Sequence, residues 1–209
     1  MSQTEKIDLY KIHKAQYVAP KQPVLVEIPQ AKYLAITGRG APGGEEFSAK
    51  IGALYGAAFT IKMTRKFADK GDYVVCKLES QMWLDGDIQN SSDINPEQWN
   101  WKLFIRIPDF VGDEDLHQAQ KTLLEKGKEP EIEHVKFETI SEGLCVQMLH
   151  VGPYDKEPET VEIMAAFAQE QGLELYGRHH EIYISDPRRV PTEKLKTILR
   201  MPVRKKNLN

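Results

Sequence analysis

The chain has 209 residues, 41% hydrophobic and 28% charged, with a formal net charge of -3, a balance that suits one domain with a sizeable core or two small fused ones. That charge leaves no basic footprint for a phosphate backbone, so no direct nucleic-acid partner is expected, and the basic end "RMPVRKKNLN" reads as a solvated tail. No apolar run reaches the length of a membrane span and "MSQTEKIDLYKIHK" has no signal-peptide core, so the expectation is a cytoplasmic protein without a membrane partner. Cys76 and Cys145 lie far apart in strand-like runs and read as reduced core thiols.

In chain order the first strong element is "KYLAITGRGAP", a strand running into a glycine-proline turn. Phe47, Ile51, Leu54, Tyr55 and Ala58 follow at helical spacing and predict one buried helix face. A long hairpin comes next, from "YVVCKLESQMWL" through the polar loop "DGDIQNSSDINPEQ" to "WNWKLFIRI". Then "IPDFVGDEDL" opens a helix with the stripe Leu116, Ala119, Leu123 and Leu124, stopped by Gly127. The second half repeats this order. "LCVQMLHVGPY" is again a strand and turn, Ile163, Met164 and Phe167 mark a helix, and "LELYGRHHEIYIS" reads as a short hairpin. "DPRRVPTEKL" then matches the earlier frame P-x-x-V-x-x-E-x-L, with Pro187, Val190, Glu193 and Leu195 in the places of Pro108, Val111, Glu114 and Leu116. Leu195, Ile198 and Leu199 predict a closing helix, begun near Pro191 and ended by Pro202. Each half thus reads strand, helix, strand, strand, helix, and the predicted fold class is α+β built by tandem duplication.

"GRGAPG" matches G-x-G-x-x-G formally. Pro42 removes an amide donor, however, and Glu45 and Glu46 sit where a pyrophosphate must bind, so these glycines read as turn geometry and no cofactor is expected. In "HHE", His179 and Glu181 share a strand face, but nothing elsewhere shows ligand spacing, and no metal is expected. His117, His134 and His150 are scattered and suggest no triad. Trp83, Trp99 and Trp101, with Phe104, fall in or beside the long hairpin. A single tryptophan is more often packing than site, but three of them beside Glu79 suit a flat, polarised or cationic molecule. Alternation puts Lys77, Glu79, Gln81 and Trp83 on one face. It also groups Glu181 with Tyr183 and Ser185, leaving Ile182 and Ile184 for a helix-packed face. Trp101 falls with Leu103, away from Phe104, unless a bulge re-aims the strand. The repeat offset sets Lys102 and Phe104 opposite Glu181 and Tyr183.

On "YLAITGRG", "KLESQMWLDGD", "PEQWNWKLFIRIPDFV" and above all "HEIYISDPRRVPTEKLKTILRMPV", the chain resembles the GyrI-like small-molecule-binding family from about Asp8 to Val203. The resemblance implies one domain over residues 8–204, made of two pseudo-symmetric halves, about 8–127 and 131–204. Their antiparallel sheets are expected to face a central ligand cleft, with helices outside. Drug-binding members carry a buried glutamate on the last strand that meets cationic aromatic ligands, and the matching position is Glu181. A stand-alone branch with tryptophan-rich first halves is similar to cyclopropanoid hydrolases, which detoxify DNA-alkylating cyclopropane compounds. That branch more often has a proline before the leucine and paired tryptophans where this chain reads "KLESQMW". The expectation is therefore a protein that binds planar aromatic or cationic lipophilic molecules and hydrolyses strained electrophilic rings. Glu181, with a pKa raised by burial, is expected as general base and Glu79 as the group that orients water. Trp83, Trp101, Tyr55, Tyr183, Phe104 and Trp99 are the expected ligand wall. The alternatives are a non-catalytic drug-sequestering or sensing protein and a gyrase-inhibitor-like interaction protein.

Overall fold

The computed structural model describes residues 6–85, 95–128 and 130–206, so residues 86–94 of the polar hairpin loop lie outside the described residues. Along the chain run α1 (Leu9–Ile12), α2 (Lys14–Tyr17), β1 (Val24–Ile28), β2 (Ala31–Arg39), α3 (Glu45–Phe67), β3 (Leu78–Trp83) and β4 (Asn100–Arg106). There follow α4 (Asp113–Glu125), β5 (Lys136–Ile140), β6 (Gly143–Val151), α5 (Glu157–Glu170), β7 (Leu173–Leu175), β8 (His179–Tyr183) and β9 (Lys196–Lys205). The fold is α+β, and within each of its units the strands pair antiparallel. Among the described residues no helix is long and apolar enough to cross a membrane. Two compact units emerge, one of Met1–Ile12 with Ala31–Ile140 and one of His13–Gln30 with Ser141–Asn209.

In the first unit the strand order is β3-β4-β2-β5, every pair antiparallel. Leu34 lies opposite Ile105 and Ile36 opposite Leu103, giving a β-branched and leucine face on which α3 packs. α3 meets it with Leu54, Ala57, Ala58 and Ile61, all buried, so small alanines bring the helix close. Glu45 and Glu46 at its start and Arg65 and Lys66 at its end complement the helix dipole. Arg65 reaches α4 through a two-pronged contact with Asp115, 2.8 and 3.0 Å. Leu116, Ala119 and Leu123 bury the inner face of α4 as the spacing predicts, whereas Leu124 is exposed.

Trp101 belongs to this core. It is fully buried, edge-on to Phe47 at 4.9 Å, with its indole Nε1 donating to the Gly40 carbonyl. Its ring lies across Gly38, the residue directly opposite on β2, and a Cβ there would come within 2.1 Å of the indole. Strand alternation, rather than a bulge, sets its direction, so the expected role as a ligand wall does not fit this residue. Phe104, on the other face, is also fully buried, against Tyr33, Ala31 and Ala35.

In the second unit the order is β1-β6-β9-β8, with β7 beside β9. Three sequence expectations need correction. The segment after the second frame is the ten-residue strand β9, not a helix. Leu195, Ile198 and Leu199 fit either period, but Thr197, Ile198 and Val203 are β-branched, and pairing to both β6 and β8 decides the outcome. "LELYGRHHEIYIS" is not a hairpin, because β7 pairs with β9 rather than β8. Finally, β8-β9-β6 takes the pattern of β3-β4-β2, so Glu181 corresponds to a β3 position and Lys102 and Phe104 to β9 positions.

Candidate functional site

Glu181 lies directly opposite Leu199, which in turn pairs with Met148, and these two pack on Met164 and Ala168 of α5. Its side chain therefore points to the α5 side of the sheet, and the Ile182 side is the opposite one, which reverses the expected assignment of faces. There the carboxylate is buried, 6% exposed, and meets the first turn of α5. His179 Nε2 is 3.2 Å from Glu181 Oε1 and 4.0 Å from Glu157 Oε2. Tyr183 and Glu157 also hydrogen-bond Glu181, and Thr197 of β9 hydrogen-bonds Glu157. The ring of Tyr154, in the short 3-10 turn before α5, stands edge-on to Tyr183 at 6.0 Å and is 38% exposed.

The two carboxyls respond oppositely to this setting. Burial, then the Glu181 charge, pushes Glu157 up to about 9. For Glu181 burial pulls upward, but hydrogen bonds and charge from His179, with the Tyr183 and Glu157 contacts, outweigh it and hold the carboxyl below its ordinary value. The raised carboxyl expected at Glu181 is thus found at Glu157. Two like charges in contact inside a protein cannot both ionise, and one proton between them resolves the conflict.

Donor atoms of Glu157, His179 and Glu181 all lie within 4.8 Å of one another, near enough to one another for a cation to be considered. Ligands about 2.0 Å from a tetrahedral ion sit about 3.3 Å apart, which the 3.2 Å His179–Glu181 separation meets and the 4.0 Å His179–Glu157 separation does not. The hydrogen bond between the carboxyls is the better account of their approach.

Glu79 is fully buried in the first unit, directly opposite Phe104 and therefore on the sheet face turned away from α3. Tyr10 accepts a hydrogen bond from the Lys77 amide at 3.2 Å and Tyr55 from the Leu78 amide at 3.0 Å, pinning the strand just before Glu79. Burial, then the Glu79 charge, raises both the Tyr10 phenol and the Cys76 thiol. Tyr55 stacks on Phe59 at 6.0 Å. Trp83 and Trp99 are each half-buried, unlike Trp101 and Phe104, which are fully buried.

On the opposite face of β8, His180 Nδ1 contacts the Glu142 carboxylate at 2.9 and 3.0 Å. Arg200 reaches the same carboxylate at 3.4 Å and the Gln147 amide oxygen at 3.1 and 3.2 Å, and donates to the Gln16 carbonyl. This network is buried and ties α2 to the sheet of its unit. Sequence reading missed it and missed Glu157. The one signal for Glu157 was its place beside Pro158 at the first turn of a helix, where acids and proline are both favoured.

Residues 109–204 match the model of the GyrI-like small molecule binding domain. Among solved structures, an uncharacterized conserved protein from Listeria innocua is 37% identical with a TM-score of 0.88, over 95% of this chain and 100% of that one. A hydrolase from Listeria innocua is 36% identical with a TM-score of 0.85, again over 95% of this chain and 100% of that one. The EcmrR C-terminal domain, at 15% identity and a TM-score of 0.54 over 88% of this chain and 98% of its own, shares the fold. No curated protein matches the chain significantly. Whole-length similarity at this identity, together with the domain match, makes the chain a member of the GyrI-like small-molecule-binding family.

Proposed function

We propose that the protein binds a flat aromatic or cationic small molecule beside Glu181 and hydrolyses a strained electrophilic ring in it, of the cyclopropanoid class. The observation that carries this reading is the Glu181 carboxylate, 6% exposed yet held ionised by His179 and Tyr183 at the edge of the part-exposed rings of Tyr154 and Tyr183. A buried anion bordered by aromatic edges favours a planar ligand with positive charge, full or developing. The 36% identity to a hydrolase from Listeria innocua, across its whole length, supports the hydrolytic part.

In the reaction, water's oxygen bonds to a cyclopropane carbon while the bond from that carbon to the activated centre breaks. The released electron pair moves into the conjugated carbonyl. Glu181 takes the proton from the attacking water, and a proton ends on the carbonyl oxygen, so the sum is addition of one water. A carboxylate held at low pKa is a modest base, which suits a substrate whose ring strain supplies much of the driving force.

Glu181→Gln tests this. With a spirocyclopropyl-cyclohexadienone as probe, turnover should drop about 100-fold, the scale for a lost general base. Affinity for a neutral aromatic ligand should hold, and affinity for a cationic one should fall. Stoichiometric uptake of the probe by the wild-type protein without product would refute hydrolysis and leave sequestration.

A further inference from the structure

We infer that Glu157, on the first turn of α5, is the proton-holding partner that keeps Glu181 ionised and oriented, a positioning residue for the chemistry proposed above. The catalytic meaning of this role rests on that reading; the protonation itself does not.

Geometry alone distinguishes the two carboxyls. Glu181 receives His179 at 3.2 Å and the Tyr183 hydroxyl. Glu157 is 6% exposed, and its Oε1 has no hydrogen-bond partner. A buried oxygen without a donor is far cheaper on a neutral acid than on a carboxylate, so the proton belongs on Glu157. From there it bridges to Glu181, and burial with the neighbouring charge holds it in place.

The groups around Glu157 agree with this. β8 presents Glu181, His179 and Tyr183, and β9 presents Thr197. The turn before α5 presents Tyr154, whose phenol burial and these two carboxylates push up to about 12; Asp186 adds to that push. β6 presents His150, already engaged by Thr160 at 2.8 Å and the Pro153 carbonyl at 3.1 Å. Lys156 turns to Glu159 at 3.1 Å instead. The ring nitrogen that approaches both carboxyls is His179 Nε2, 3.2 Å from Glu181 and 4.0 Å from Glu157. The α5 N-terminus favours an anion, but that field serves Glu181 as well, and desolvation outweighs it at Glu157.

Two readouts test the assignment, one without substrate. Infrared spectra of the wild-type protein should show a carboxylic acid band at neutral pH that disappears as pH passes about 9 and is missing in Glu157→Gln. In Glu181→Gln, where the like charge is gone, the band should disappear at lower pH. With the spirocyclopropyl-cyclohexadienone probe, wild-type turnover should fall above about pH 9, as Glu157 ionises against Glu181. Glu157→Gln keeps a hydrogen-bond donor, so it should hold most of the neutral-pH rate and lose the alkaline fall. Glu157→Ala should lose about tenfold or more, as supporting hydrogen bonds commonly do. Persistence of the alkaline fall in Glu157→Gln, or a wild-type spectrum without the titrating acid, would overturn the inference. If no protein turns the probe over, hydrolysis fails while the infrared band still decides the place of the proton.

Discussion

Replacing Trp101 by alanine separates core from site. The indole is fully buried, edge-on to Phe47 at 4.9 Å, and hydrogen-bonded to Gly40 at 3.1 Å. Removal of a buried Trp or Phe side chain commonly costs about 3–5 kcal/mol through lost transfer energy and the cavity left behind. The Gly40 carbonyl sits in a half-buried turn and can rehydrate, so its lost bond adds no more than about 1 kcal/mol. Gly38 offers no side chain to fill the space. The sum is about 4 kcal/mol, which for a chain of this size lowers Tm by roughly 8–16 °C. Trp99→Ala, at a half-buried position, should stay within about 1 kcal/mol of wild type. Circular-dichroism melts of both variants, with urea titrations, read these values. A Trp101→Ala protein that melts within a few degrees of wild type, yet loses affinity for a flat aromatic ligand, would refute the core assignment and restore the indole to a ligand wall.

Gly38→Ala should destabilise by about 1–3 kcal/mol, because its methyl would overlap the indole, and the penalty should shrink in a Trp101→Ala background. Urea unfolding of the two single variants and the double variant gives the coupling. The pH dependence of folding should expose Glu157, whose folded pKa of about 9 lies above the ordinary 4.5. The folded protein then retains a proton that the unfolded chain releases, so this group's contribution is intact below about pH 4.5 and is lost as pH rises toward 9. Glu181, held low, acts in the opposite sense, and its contribution is lost only as pH falls through its folded value. Glu157→Gln should therefore gain stability relative to wild type between about pH 5 and about pH 9, by up to about 1.4 kcal/mol per unit. A constant difference across that range in urea unfolding would contradict the assignment.

The parts of the fold legible in the sequence were those with one consistent period. Phe47, Leu54 and Ala58 gave α3, and Leu116, Ala119 and Leu123 gave α4, because each stripe faces one layer. β9 was not legible, since a strand covered on both faces by buried side chains shows no alternation, and its apolar residues happen to fall at helical spacing. The Glu181–Tyr183 pairing on one face could be read from alternation, but which face meets a helix depends on pairing with β9 and so on tertiary structure. Of the candidate site, the family resemblance supplied Glu181, and the structure supplied what surrounds it. Glu157 arrives from a helix start more than twenty residues upstream, brought over β8 by the packing of Met164 and Ala168 on Leu199. No local spacing encodes that approach.

The interleaving of the two units has a consequence for how the chain is made. Ile7 bridges to Tyr73, yet the following segment leaves to lay β1 against β6 before the chain returns for β2. No single cut can therefore release either unit whole. During synthesis β1 emerges ahead of its partner by more than a hundred residues, since Ile28 pairs with Gly143. At ordinary elongation rates of about 5–20 residues per second, that interval is on the order of ten seconds. Through it "VLVEI" stands as an unpaired apolar strand, guarded against stray strand pairing by the charge of Glu27 alone within its five residues.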